Sequence, residues 1–192
     1  MSGWLSRRMA ERGIIKEEDR EIYQFGIRNG FIMLLNIATA FLIGLFTEQI
    51  LVVYVFTVSF MMLRSFTGGY HCDSRLFCYI GSNLVLFIPV YTGSLFVRMP
   101  VPAVLLTLAA ALGIVLVLSP MNSKNRKLDQ TEKKHFGRRA RVTAALQTAV
   151  FFLLRHLGYP DCSYAVYSCI CIISVCMLAG KIQLYIQLHM DK

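Results

Sequence analysis

Acidic residues are scarce in this sequence: 11 Asp and Glu stand against 20 Lys and Arg, which leaves a formal net charge of +9. Charged residues of both signs make up 16% of the chain, whereas 56% of it is hydrophobic and the mean hydropathy is +0.54. This apolar content exceeds that of an ordinary soluble domain. In so apolar a chain, positive charge typically marks the ends of membrane helices, and it gives no indication of nucleic-acid binding.

We expect no cleavable signal peptide, and the sequence contains no paired CxxC motifs and no internal repeats. The charged residues 1–29 precede the first apolar run, and no small-residue cleavage site follows that run, so we expect it to be retained as a membrane span. The six cysteines have no secreted disulfide spacing. Four of them fall in or beside the last apolar run, where buried, inert thiols are expected: Cys162, Cys169, Cys171 and Cys176. At 192 residues the chain is too short for several domains, so we expect a single membrane domain over residues 1–192.

Six apolar runs follow one another along the chain, at about 30–46, 49–63, 76–97, 101–119, 142–157 and 164–188. A membrane-spanning helix needs about 20 residues. The second and fifth runs are short, so either they include flanking residues or one of them is re-entrant. The pattern predicts an all-α, polytopic integral membrane protein with about six transmembrane helices, and four spans plus re-entrant segments are the alternative.

The distribution of basic residues predicts the orientation of these spans. With six spans and the N-terminus inside, 18 of the 20 Lys and Arg lie in cytoplasmic segments, and only Arg98 and Arg155 lie outside. The cytoplasmic segments are then an amphipathic surface segment over residues 1–29, a loop and helix start at 64–79, a basic loop at 120–141, and the C-terminal end. The basic loop has two compatible interpretations, contact with anionic lipid and reception of an acidic peptide.

The stretch "RSFTGGYHCDSRLFCY", residues 64–79, is polar and contains two glycines between two apolar runs. Gly68 and Gly69 permit a sharp turn after the second span, because glycine adopts backbone angles that bulkier residues avoid. Asp73 or Ser74 then fits the N-cap of a helix whose apolar run begins at Leu76. The stretch therefore predicts a turn followed directly by the start of a helix.

Cys78 falls in or just after the first turn of this helix, where free N–H groups and the macrodipole favour a thiolate. His71 could reach the sulfur and take its proton, and Arg64 adds positive charge nearby. Cys72 competes as nucleophile, but it is an awkward partner for the adjacent His71. No second cluster of metal ligands lies on the same membrane side, so we expect no metal site. The residues support a Cys–His dyad without a firm third member.

These residues resemble the core of a known family. Arg64, Gly68, Gly69, His71 and Cys78, followed by the loop "SPMNSKNRKL", are similar to the accessory gene regulator protein B (AgrB) family of membrane cysteine endopeptidases in bacterial quorum sensing. The resemblance covers most of the chain. It implies that His71 and Cys78 form the catalytic pair and that the arginine and glycines of the motif support them. It points to Lys133 and Lys134 for substrate processing.

The resemblance also implies a substrate, an AgrD-like propeptide with an amphipathic leader, a short signal core and an acidic C-terminal tail. The implied reaction cleaves the tail through an acyl-enzyme thioester and closes a thiolactone or lactone ring, without a cofactor. The expected location is the bacterial cell membrane with the catalytic loop facing the cytoplasm. Two rival functions stay open, a peptide exporter without chemistry and a membrane scaffold. The oligomeric state is also open, with a homodimer as one option.

Overall fold

The computed structural model of the chain describes residues 2–68, 75–121 and 129–190. All regular structure in these ranges is helical, and they contain no strand. The helices are α1 (Ser2–Glu11), a short 3-10 helix (Glu17–Asp19), α2 (Arg20–Phe46), α3 (Ile50–Thr67), α4 (Arg75–Arg98), α5 (Val101–Leu118), α6 (Gln130–His156) and α7 (Pro160–Met190). The expected all-α class is confirmed.

Five helical segments in the described part of the chain are long and apolar enough to cross a membrane. They are Glu17–Phe46, Ile50–Thr67, Leu76–Arg98, Val101–Leu118 and Pro160–Ile186. The polytopic membrane architecture predicted from the sequence is therefore confirmed. The short second run gains flanking residues, since α3 continues to Thr67. The short fifth run, 142–157, forms the second part of α6, whose charged first part lowers its hydropathy.

Residues 1–39 form the first of two compact units. In α1, Trp4 is exposed and the Arg8 guanidinium lies 4.7 Å from the centre of its ring, which is typical of a helix on a membrane surface. This helix ends at Glu11, and an ion pair of 2.6 Å between Arg20 and Glu17 stands at the start of α2. The last part of the predicted surface segment therefore belongs to the first membrane-spanning helix.

Residues 40–192 form the second unit, and α7 lies at its centre. This helix contacts α3, α4, α5 and α6. A helix that is apolar on all sides is typical of a buried position. The fully buried hydrophobic residues of α7 are Ala165, Val166, Cys169, Ile170, Ile173 and Met177.

The second unit has two ends, which we call the motif end and the opposite end. At the motif end, the Met121 N–H after α5 donates a hydrogen bond of 3.0 Å to the carbonyl of Thr67, the last residue of α3. At the opposite end, the Phe96 ring of α4 stacks on Tyr164 of α7 with a centroid distance of 4.7 Å and meets Tyr167 in a tilted geometry at 5.1 Å. The segments 64–68 and 119–121 therefore meet at the same end of the bundle.

Candidate functional site

Gly68 ends α3 with a φ of 71° and a ψ of −149°, a conformation that is essentially restricted to glycine. The Gly68 N–H donates a hydrogen bond of 3.3 Å to the carbonyl of Arg64. The Arg64 guanidinium in turn donates through Nη1 to the carbonyl of Gly68. Hydrogen bonds from a charged donor are stronger than neutral ones. Arg64 therefore fixes the backbone at the point where the chain leaves α3.

A backbone clasp joins this turn to the segment after α5. The Met121 carbonyl would lie 3.0 Å from a Cβ added to Gly68, so a side chain there would displace the backbone. Pro120 also lies close to α6, because its Cδ would lie 3.2 Å from a Cβ added to Gly137. The end of α3, residues 119–121 and the first turns of α6 are thus held together. Sequence reasoning missed this clasp, since no local pattern pairs Thr67 with Met121.

Cys78 is the fourth residue of α4, and its thiol is exposed. The first N–H groups of a helix have no carbonyl partner within the helix and carry a partial positive charge, so they favour an anion in the first turn. The expected N-cap residues lie outside the described residues, as do Gly69, His71 and Cys72. The pairing of His71 with Cys78 therefore stays a prediction.

Lys133 and Lys134 lie at the start of α6, where Lys133 is half-buried and Lys134 is exposed. The Glu132 carboxylate accepts the Asp129 N–H at 3.2 Å, which stabilises the helix start. Residues 130–141 are therefore helical, whereas the sequence analysis assigns them to a loop. The helix aligns the basic residues at the motif end of the bundle.

Comparison of the sequence with known protein families gives a match over nearly the whole chain. Residues 2–185 match the family described as Accessory gene regulator B. The chain belongs to the AgrB family. No curated protein and no solved structure matches it.

Membership of the AgrB family associates this protein with the agr quorum-sensing system and with propeptide processing.

Two cavities in the second unit are large enough to hold part of a ligand. A cavity of about 420 Å³ lies at the motif end between α3 and α6, lined by Phe66, His135, Arg138, Arg139, Val142 and Thr143. A cavity of about 510 Å³ lies at the opposite end, where Glu48 and Asp161 are among its lining residues. Neither cavity is lined by Arg64, Gly68 or Cys78, the motif residues that the structure describes.

The remaining cysteines differ from Cys78 in their surroundings. Cys162 and Cys169 of α7 are buried, and Cys171 and Cys176 are half-buried. A thiol inside an apolar core behaves as a small hydrophobic group. Among the residues that the structure describes, no three His, Cys, Asp or Glu side chains lie close enough to hold a metal ion. Cys78 is thus the exposed thiol among the described cysteines.

Proposed function

We propose that this AgrB-family protein is a membrane-embedded cysteine endopeptidase that cleaves the acidic tail from an AgrD-like propeptide and promotes cyclisation of the remaining peptide. One observation carries the proposal. The Cys78 thiol is exposed in the first turn of α4, at the end of the bundle where the Arg64–Gly68 turn and the basic start of α6 meet. A reactive cysteine requires this combination of exposure and positive potential.

In the first step His71 removes the thiol proton of Cys78, and the thiolate attacks the scissile carbonyl of the propeptide. A C–S bond forms, the C–N bond breaks, and the proton on the His71 imidazolium passes to the leaving amine of the tail. The first N–H groups of α4 are aligned to stabilise the oxyanion of the tetrahedral intermediate. The products are the free tail and an acyl-enzyme thioester.

In the second step a cysteine or serine within the bound peptide attacks the thioester. A new C–S or C–O bond closes the thiolactone or lactone ring, and the bond between the acyl carbon and Cys78 Sγ breaks. The proton of the attacking thiol or hydroxyl passes through His71 to the Cys78 thiolate, which regenerates the thiol. Exchange of a thioester for a thiolactone conserves the energy of the acyl bond, whereas hydrolysis would lose it. A site at the membrane boundary limits the access of water and therefore favours ring closure.

Positive charge at the motif end supports binding of the acidic tail. Lys133 and Lys134 lie near the start of α6. The Thr67–Met121 hydrogen bond and the close approach of Pro120 to Gly137 hold this part of α6 beside the Arg64–Gly68 turn. Electrostatic attraction to an acidic peptide would raise its local concentration at this end. The cytoplasmic orientation of the motif end follows the excess of Lys and Arg there, and it belongs to the same proposal.

The test uses purified protein in liposomes with an AgrD-like propeptide. Wild type, Cys78→Ala, His71→Ala and Cys72→Ala are compared by mass spectrometry of the released tail and of the covalent adduct. We expect the Cys78 and His71 variants to lose tail release by about 10³-fold or more, as removal of a nucleophile or its base does in other proteases. Cys72→Ala, the matched cysteine control, should retain both signals.

Unchanged tail release in Cys78→Ala would refute the peptidase mechanism. Transport of intact propeptide into the liposomes by that variant would instead indicate an exporter. Loss of both signals in Cys72→Ala but not in Cys78→Ala would identify Cys72 as the nucleophile.

A further inference from the structure

The crevice between α3 and α6 combines basic side chains with an apolar wall. Phe66 lies on the α3 side, and His135, Arg138, Arg139 and Val142 lie on the α6 side, around a volume of about 420 Å³. The Arg139 guanidinium lies 5.7 Å from the centre of the Phe66 ring, which orients it across the crevice. The volume is within the range of small-molecule sites in proteins.

Arg138 and Arg139 have no carboxylate partner within the described ranges, where the one ion pair joins Arg20 to Glu17. Both arginines are exposed, as is His135 one turn earlier. Residues three and four apart on a helix share a face, so the three side chains line one stripe of α6. Arg138 and Arg139 concentrate positive charge on this stripe, and no carboxylate in the described ranges forms an ion pair with them.

The same stripe becomes apolar further along α6. Val142 and Leu146 are 52% and 58% exposed, and they lie three and seven residues beyond Arg139. On α3, Met62 precedes Phe66 by one turn and is 49% exposed. A hydrogen bond of 2.7 Å from Gln147 Nε2 to the Ser59 carbonyl shows that the two helices run side by side over this length. Exposed apolar side chains of both helices therefore follow the basic crevice towards the middle of the bundle.

We propose that this crevice binds an anionic phospholipid. Its phosphate would lie between Arg138 and Arg139, and an acyl chain would follow the exposed side chains of Met62 and Leu146. Guanidinium groups match the oxygens of a phosphate in a bidentate geometry. A soluble acidic peptide would pair with the arginines but would leave the apolar continuation uncovered. The charge-then-apolar order along both helices matches the order of headgroup and acyl chain in a lipid.

The experiment compares lipid binding to full-length wild type and three variants in an uncharged detergent. The variants are the double substitution Arg138→Gln/Arg139→Gln, Val142→Glu, and Arg141→Gln as control. Arg141 is an exposed arginine of the same helix that does not line the crevice. Native mass spectrometry measures bound phosphatidylglycerol against phosphatidylcholine with the same acyl chains. Glycerol phosphate and a soluble polyglutamate peptide serve as competitors.

Wild type should prefer phosphatidylglycerol. A basic residue near an anionic surface contributes a factor of about five to binding, so the double variant should bind about 25-fold more weakly. Val142→Glu should lose the preference, because a carboxylate in the crevice repels the phosphate, and Arg141→Gln should match wild type. Equal phosphatidylglycerol binding by wild type and by both crevice variants would overturn the proposal. If only polyglutamate displaced the lipid, the crevice would be a peptide site and the proposal would be wrong. If only glycerol phosphate displaced it, the crevice would be a site for free phosphate, and the proposal would again be wrong.

Discussion

Substitution of Gly68 by alanine tests the clasp at the motif end. Gly68 has a φ of 71° and a ψ of −149°, and residues other than glycine adopt this region at a cost of about 1–3 kcal/mol. The new Cβ would also lie 3.0 Å from the Met121 carbonyl oxygen, a backbone atom that must move. This movement weakens the hydrogen bond between Met121 and Thr67, which contributes about 0.5–1.5 kcal/mol. We therefore expect Gly68→Ala to lower the free energy of unfolding by about 2–4 kcal/mol.

The assay is thermal unfolding in detergent, followed with a dye that fluoresces on reaction with thiols, because the buried cysteines of α7 react only after the bundle opens. The matched control is Gly113→Ala in α5, where an added Cβ meets nothing within 4 Å. Because Gly113 lies inside a helix, its replacement by alanine should raise the free energy of unfolding by about 0.5–1 kcal/mol. An unfolding temperature of Gly68→Ala equal to or above that of wild type would refute the reasoning, since neither the backbone strain nor the contact with Met121 would then be present.

Three further predictions concern the core, the motif arginine and the thiol. Phe151→Ala should lower the free energy of unfolding by about 3–5 kcal/mol, because Phe151 is 1% exposed. Phe152→Ala, at the 47% exposed neighbour, should lower that free energy much less in the same dye assay. Equal losses of stability in the two variants would contradict this assignment of the core. Arg64→Gln should lower the free energy of unfolding by about 1.5–3 kcal/mol, because it weakens the charge-assisted hydrogen bond to the Gly68 carbonyl at the end of α3. An unchanged unfolding temperature would show that this bond does not stabilise the fold. In a Cys72→Ala background, Cys78 should react with a maleimide before the buried cysteines of α7, so that Cys78→Ser removes a fast labelling phase in mass spectrometry. Persistence of that phase would contradict the exposure of Cys78.

The helices of this protein could be predicted from the sequence because the membrane restricts the choices. In hydrocarbon every backbone N–H and C=O must be bonded within the segment, so a long apolar run can only be a helix or part of a closed barrel. The run 101–119 accordingly corresponds to α5, Val101–Leu118, and the glycine at 68 marks the end of α3. The exposed position of Cys78 in a first helical turn was also predictable, since turn and N-cap signals precede it.

Other features had no local signal. The charged residues 130–141 resemble a loop in composition, and their helical structure depends on capping by Glu132 and on contacts such as that of Arg139 with Phe66. The clasp between Thr67 and Met121 joins residues far apart in sequence, and only the packing of α3, α5 and α6 around α7 brings them together. The lysines at 133 and 134 were assigned by resemblance, and their role in binding the propeptide stays a prediction.

The central position of α7 has a consequence for biosynthesis. The helix that contacts α3, α4, α5 and α6 leaves the ribosome after all four of them, and it is 31 residues long. At about 5–20 residues per second its synthesis takes about 2–6 s, during which the earlier helices already reside in the membrane without their common partner. Insertion of the first helices and assembly of the bundle are therefore separate events. A translational stop before Pro160 would release a set of inserted helices around an empty centre, a substrate for membrane quality-control proteases.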